Sequence, residues 1–432
     1  MMVRSEVKII ILLNMVVFYK KVLTMEIKKI YAREILDSRG NPAVEVDLFF
    51  GEKTVRASVP SGASVGKGEA FELRDGDRNR YDGKGVLRAV ENIEKIIAPT
   101  LVGKKVDIEA CDKIMLELDG TKNKEKLGAN AILPVSIAIL RAQALLVRKE
   151  DYQFIQKFFG APRAQIPKVM FNVLNGGAHA DNSIDFQEFM IMPMSDDFSE
   201  NLHAAVAVYK KLKRLLADKN LSTGVGDEGG FAPKINERQA LDFLLKAVEL
   251  AGLKPGVDVV FCLDVASSRF FLQKENKYLF GGEKLSSSDM IDFYKKLVNK
   301  YPIYSIEDGL SECDWDGFKM LTEELGEKAL LVGDDIFVTN PEKIKKGIEV
   351  GVANSVLIKP NQIGTVTQCL NAIKICHENN YKTVVSHRSG ETNDYFISDL
   401  AVGVGSQFFK AGAPARGERV AKYNRLAEIG SF

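Results

Sequence analysis

The chain has 432 residues, with 59 lysines and arginines against 58 aspartates and glutamates, and 46% of its residues are hydrophobic. That composition excludes a disordered chain and is enough for two or three domains with a large buried core. A formal net charge of +1 gives no global electrostatic case for nucleic acid or an anionic membrane as the main partner. The five cysteines are scattered and lack CxxC spacing, which predicts free thiols in a reducing, cytoplasmic compartment rather than a disulfide or zinc framework.

Residues 1–24 stand apart. Arg4 and Lys8 precede the apolar run IIILLNMVVFY, and Lys20 and Lys21 follow it. The run is too short to span a bilayer, which takes roughly 20 apolar residues, and it leads into lysines rather than a small-residue cleavage site. The expectation is a spurious upstream start with Met25 as the first residue, or else a weak amphipathic anchor supporting a secondary cell-surface or secreted pool. From Met25, IKKIYAREILD and NPAVEVDLFF alternate like strands around a turn at 37–42, and KTVRASVP follows Gly51. Helical periodicity then takes over in 86–97, 108–118 and 129–146. Strands followed by helices predict an α+β amino-terminal domain over 25–160, ending near Gly160, Ala161 and Pro162.

Residues 161–432 have a different rhythm. Short apolar runs end in polar residues, at Asp264 in VVFCLD, Glu307 in IYSIED, Asp334 in ALLVGDD, Lys359 in SVLIK and His387 in KTVVSHRS. Consecutive gaps of 43, 27, 25 and 28 residues each fit one strand-helix unit, and 290–301 and 369–380 carry helical periodicity. No GxGxxG or Walker pattern follows a first strand, which removes the main support for nucleotide binding. The fold class is α/β: a (β/α)₈-type barrel with a smaller α+β amino-terminal domain, and polar residues converging at the mouth.

Three carboxylates on that rim repel one another unless a cation neutralises them, and an all-oxygen set suits Mg²⁺ before Zn²⁺. A single acid at a strand end often only caps the next helix. Three in successive units favour a metal. Asp335 is the weaker of its pair, because adjacent strand residues face opposite sides. Lys359 suits a general base if burial and neighbouring cations lower its pKa, and otherwise an ion pair with one of the acids. Arg388, Ser389 and Lys410 offer groups for a phosphate or carboxylate. Two glycine-rich segments, NGGAHADNS with His179 and GVGDEGGFAP with Glu228, and the loop SGASVG with Ser64, can approach a ligand closely.

These residues resemble the enolases. The resemblance runs from about Met25 to the carboxyl terminus, on AREILDSRGNPAVEV, PSGAS, LGANAIL, NGGAHADNSIDFQEFM, GVGDEGGFAPK, LDVASS, SIEDGL, GDDIFVTNP, LIKPNQIGT, SHRSGET and KAGAPARGERVAKYN. It implies reversible Mg²⁺-dependent dehydration of 2-phosphoglycerate to phosphoenolpyruvate, in glycolysis and gluconeogenesis. Asp264, Glu307 and Asp334 would hold the first Mg²⁺, and Ser64 a second that arrives with substrate. Lys359 would take the C2 proton, and Glu228, supported by Glu188, would protonate the leaving C3 hydroxyl. His179, Gln187, Arg388, Ser389 and Lys410 would contact the substrate's phosphate or carboxylate, with His387 in the same motif. The family also implies at least a homodimer.

The sequence departs from the family at Val65 in place of threonine, at Ser267, Arg269, Phe409, Ala411 and Gly417, and across 142–169. None of these removes a named site residue. Two alternatives remain in view: a related lyase acting on an unphosphorylated acid, against which SHRSGE and KAGAP argue, and a non-catalytic surface or scaffold paralogue, whose one positive feature is the leader.

Overall fold

The computed structural model describes residues 25–62 and 66–431. The leader, Ser64 and Val65 lie outside the described residues. Strands β1 (Ile27–Leu36), β2 (Pro42–Phe50) and β3 (Lys53–Ser58) form an antiparallel meander, in the order β1-β2-β3. The helix Ile108–Asp119 starts at an Asp107 cap and stops at Gly120, which has a positive φ. Helix Ala129–Leu146 is apolar on nearly every side and would pass for a membrane span by length and composition, yet 83% of it is buried. It packs on β2 and β3 on one side and on barrel helices on the other, so its hydrophobicity is that of a core element.

Helix Asp151–Phe159 packs onto the barrel helix Phe396–Val404. Gly403 permits this approach, since a Cβ there would lie 2.7 Å from Ile155 and 2.8 Å from the Tyr152 carbonyl oxygen. A second contact between the two parts of the chain caps helix Val366–Glu378. The buried Asp112 carboxylate accepts the Thr367 N–H at 3.1 Å and its hydroxyl at 2.8 Å, and Ser136 accepts the Val366 N–H at 3.0 Å.

Burial pushes Asp112 up to about 6. The folded chain therefore retains a proton that the unfolded chain releases near pH 4. The stability tied to that proton is present at low pH and is lost as pH rises through about 6. Asp112→Asn does not ionise, so it should melt above the parent at about pH 7.5, with the difference shrinking as pH falls below about 6. Thermal scans across pH check this, and a pH-independent difference would contradict it.

The barrel strands are β4 (Lys168–Asn175), β5 (Glu188–Pro193) and β6 (Val259–Asp264). A small side sheet of β7 (Phe271–Leu272), β8 (Lys277–Phe280) and β9 (Glu283–Leu285) follows. The barrel resumes with β10 (Ile303–Glu307), β11 (Leu330–Gly333), β12 (Ser355–Ile358), β13 (Lys382–Ser386) and β14 (Phe408–Lys410), which pairs with β4 and closes the ring. One expectation is refined here. A uniform (β/α)₈ repeat would make every strand parallel, but β5 runs antiparallel to both β4 and β6. The short connection 176–187 carries no crossover helix, so β4 and β5 pair as antiparallel neighbours. Two helices, Phe198–Asp218 and Glu237–Leu250, then follow β5 together.

Strand alternation sets the barrel interior in layers. A buried cluster of Met170, Met190, Cys262, Val332, Leu357, Val384 and Phe408 comes entirely from the strands. Two residues from each, on the same side of its strand, stand Asn172, Glu188, Asp264, Asp334, Lys359, Ser386 and Lys410. Ser305 and Glu307 repeat the step on β10. An apolar plug thus floors a ring of polar groups.

Candidate active site at the barrel mouth

Glu188, Asp264 and Glu307 lie in register across β5, β6 and β10, and Asp334 follows the end of β11. Lys410, reaching in from β14, places its ammonium 2.7 Å and 2.8 Å from the two Glu307 oxygens, 3.3 Å from Glu188 and 3.4 Å from Asp264. Burial disfavours that ammonium, but Glu188, Glu307 and Asp264 outweigh it and hold Lys410 well above its ordinary value. One cation does not balance three buried acids. Burial and Asp264 still push Glu307 well above the usual carboxylate range.

Asp334 sits apart from that knot. Its carboxylate takes Lys359 Nζ at 2.5 Å and Gln362 Nε2 at 3.0 Å. Asp334 nonetheless acts electrostatically on Glu307, so the three acids pair with two different lysines while still influencing one another. Among the described residues, the sets of three acidic or imidazole groups whose ligand atoms all lie within 4.8 Å of one another are His179, Glu188 and Glu228, and Asp308, Asp334 and Asp335. Asp308, buried and at positive φ, accepts the Asp334 and Asp335 N–H groups at 2.9 Å each and fixes that turn. Lys359 stands in the second of its two expected settings. Burial lowers it, as do Arg388 and Lys410, but the Asp334 contact more than offsets them and its pKa is raised. The ion-pair alternative is what the structure shows at this lysine.

On another side of the mouth, Glu228 accepts Asn172 Nδ2 at 2.9 Å and lies 3.5 Å from His179 Nδ1 and 3.4 Å from His387 Nε2. Burial and Glu228 push Glu188 well above the carboxylate range. Burial opposes ionisation of Glu228 too, yet it is the lower of the pair, through His179 and His387. Burial pulls both imidazoles down, His387 to about 3, and His179 Nδ1, although 3.5 Å from Glu228, has no hydrogen-bond partner. Two carboxylates this close share one proton between them.

Gln187 donates to Asp264 at 3.2 Å, while its own buried carbonyl oxygen has no hydrogen-bond partner. Arg388 is gripped by Glu69 at 2.9 Å and 3.3 Å and by Asn361 at 3.0 Å. Glu69 comes from the amino-terminal domain, where its carboxylate also accepts the Gly66 N–H at 2.9 Å, at the base of the Ser64 loop. Ser389 lies at the same rim. His179, Gln187, Glu188, Glu228, Asp264, Lys359, His387, Arg388, Ser389 and Lys410 thus line one open cleft.

The amino-terminal domain is keyed to that rim. Ser61 and Gly390 exchange backbone hydrogen bonds at 2.8 Å and 2.9 Å, and Arg39 Nη2 donates to the carbonyls of Ser61 and Gly62. A Cβ on Gly390 would lie 2.3 Å from Asp37 Oδ2, so glycine permits the contact.

Two family models match the chain: "Enolase, N-terminal domain" over 27–155 and "Enolase, C-terminal TIM barrel domain" over 163–431. The chain belongs to the enolase family. It is accordingly a lyase-type enzyme of the enolase superfamily, with an α/β architecture of barrel plus amino-terminal domain. Two of its departures from the family, Phe409 and Ala411, sit behind the reacting face. Phe409 and Ala411 are buried and alternate with Lys410, so they point to the other side of β14. Ser267 is buried, with its N–H on the Asp308 carbonyl at 3.1 Å. Arg269 packs against the Gly177 turn.

Sequence reading missed several groups at this enolase-family site. Asn172 was within reach, because it follows Met170 by the same two-residue step as the other rim residues. Glu69, Asn361, Asp308 and Arg419 act through contacts across long stretches of sequence and carry no local signal.

Proposed function

We propose that this chain catalyses the reversible, Mg²⁺-dependent dehydration of 2-phosphoglycerate to phosphoenolpyruvate, as a cytoplasmic homodimer or higher homo-oligomer in glycolysis and gluconeogenesis. The observation that carries the reading is the excess of buried acid at the mouth, flanked by a lysine on one side and a one-proton carboxylate pair on the other. The unpaired state of all five cysteines supports a reducing compartment. The donor set fits a hard divalent cation: Asp264, Glu307 and Asp334 are buried oxygen donors, and Lys410, shared with Glu188, leaves the charge of Asp264 and Glu307 under-compensated. Those three would hold the ion, and Ser64, outside the described residues, would help hold a second. Bound there, Mg²⁺ supplies stabilisation of the negative charge that builds on the substrate carboxylate.

The chain's own groups do the rest. A hydrogen beside an ionised carboxylate is a very weak acid, so its removal needs a base held close in a desolvated site, and Lys359 would serve at C2 once a cation bound at Asp334 takes up the charge that holds its proton. Hydroxide leaves poorly without a proton, and the Glu188–Glu228 pair holds one. That proton rests on Glu188, the higher of the two, and reaches the hydroxide through Glu228. His179, Gln187, Lys410, Arg388 and Ser389 orient the substrate's phosphate and carboxylate. His387 adjoins the acid.

The test is ultraviolet absorbance of an enol phosphate. It should rise with 2-phosphoglycerate and Mg²⁺, stay flat with glycerate, vanish with EDTA and return on adding Mg²⁺. Turnover of glycerate would favour the unphosphorylated-acid lyase. Absence of turnover with either substrate would favour the non-catalytic paralogue.

A further inference from the structure

Arg419 is fully buried, in the helix Gly417–Gly430, and its guanidinium reaches three segments of the mouth at once. Nη1 lies 2.5 Å from His387 Nδ1 and donates to the Arg388 carbonyl at 2.6 Å. Nη2 donates to the Ser389 carbonyl at 2.5 Å and the Asp227 carbonyl at 3.1 Å. It also donates to the Ser38 hydroxyl at 3.4 Å, in the 37–42 turn of the amino-terminal domain. A guanidinium has five donors and no acceptor, and it stays charged. The ring nitrogen facing it must therefore accept.

We propose that Arg419 is a positioning residue that locks His387 as the neutral Nε2–H tautomer, aiming that proton at Glu228, while the same fork fixes the Asp227–Glu228 turn against the 387–389 segment. The inference rests on the function proposed above for Glu228. With Nδ1 accepting from Arg419, the one proton of a neutral imidazole sits on Nε2, 3.4 Å from Glu228 Oε2. Protonating Nδ1 would set an N–H against the guanidinium N–H at 2.5 Å. The charged groups acting on His387 are Glu228, Arg419 and Lys410, and burial with the two cations outweighs Glu228. His387 thus stays neutral across working pH and gives Glu228 a fixed hydrogen-bond donor.

The chain has only four histidines, so full-length protein labelled with ¹⁵N-histidine gives a spectrum that single substitutions assign. His387 is expected to show one protonated nitrogen, Nε2, unchanged between about pH 5 and 8. A protonated Nδ1, or titration near the ordinary imidazole value, would overturn the proposal without any activity measurement. Arg419→Lys keeps a donor-only group at Nδ1 and should retain the tautomer. Arg419→Gln also offers an acceptor and should release it, with dehydration falling on the order of a hundredfold. Identical His387 spectra in the two folded variants would leave Arg419 a packing role only and overturn the assignment. If neither variant folds, the parent spectrum decides alone. If the parent does not turn over 2-phosphoglycerate, the proposed function falls, while the ring-nitrogen pattern still reports on the lock.

Discussion

Glu307→Gln and Asp264→Asn are each expected to lower turnover of 2-phosphoglycerate by on the order of a thousandfold or more, and to weaken Mg²⁺ binding. The two acids are register partners on adjacent strands, and both lie against Lys410. Removing either charge takes a ligand from the metal and leaves the buried ammonium less well balanced, so some loss of stability should accompany the loss of activity. Asp334→Asn should lose activity by a further route, because it also strips Lys359 of its ion-pair partner. Calorimetric titration with Mg²⁺, alongside steady-state rates on folded protein, separates ligand loss from collapse of the site. Unchanged Mg²⁺ affinity with retained turnover in any one variant would remove that acid from the metal set.

The strand-end acids were legible because alternation and unit spacing are local properties. A strand that presents Cys262 inward presents Asp264 inward too, and the same step from Val332 gives Asp334. The reversal of β5 was not legible, since EFMIMP reads as an apolar strand in either direction. Only the shortness of the 176–187 connection, which has no room for a crossover helix, hinted at it. What the acids do to one another depends on partners far away in sequence. Lys410 meets Glu188 across 222 residues, and Arg388 meets Glu69 across 319. Sequence chemistry assigned both cations to a substrate anion, whereas the structure without substrate satisfies each with buried carboxylates. A phosphate or carboxylate entering the cleft has to compete with those contacts or share them. The raised pKa of Lys359 has the same origin, because a nearby acid can outweigh both burial and neighbouring cations.

Lys359→Ala is expected to lose both net dehydration and exchange of the C2 hydrogen with solvent deuterium. Glu228→Gln should lose dehydration yet keep measurable exchange. Each loss should reach about a hundredfold or more, the scale of a positioned general base or acid. The split follows from geometry. Lys359 extends from the end of β12 beside Asp334, whereas Glu228 sits among Asn172, His179 and His387. With the base intact, the C2 proton can leave and return even when the hydroxide has no acid to meet it. Glu228→Gln also removes one charge from the Glu188–Glu228 pair, so Glu188 should ionise more easily in that variant. Its residual rate should therefore depend on pH differently from the parent's, whereas residual activity in Lys359→Ala should not change in that way. Proton NMR of 2-phosphoglycerate in heavy water follows both processes in one sample. Exchange that survives in Lys359→Ala and vanishes in Glu228→Gln would reverse the two roles. Loss of exchange in both would mean that proton removal and hydroxide departure are one concerted event, with Glu228 needed from the start.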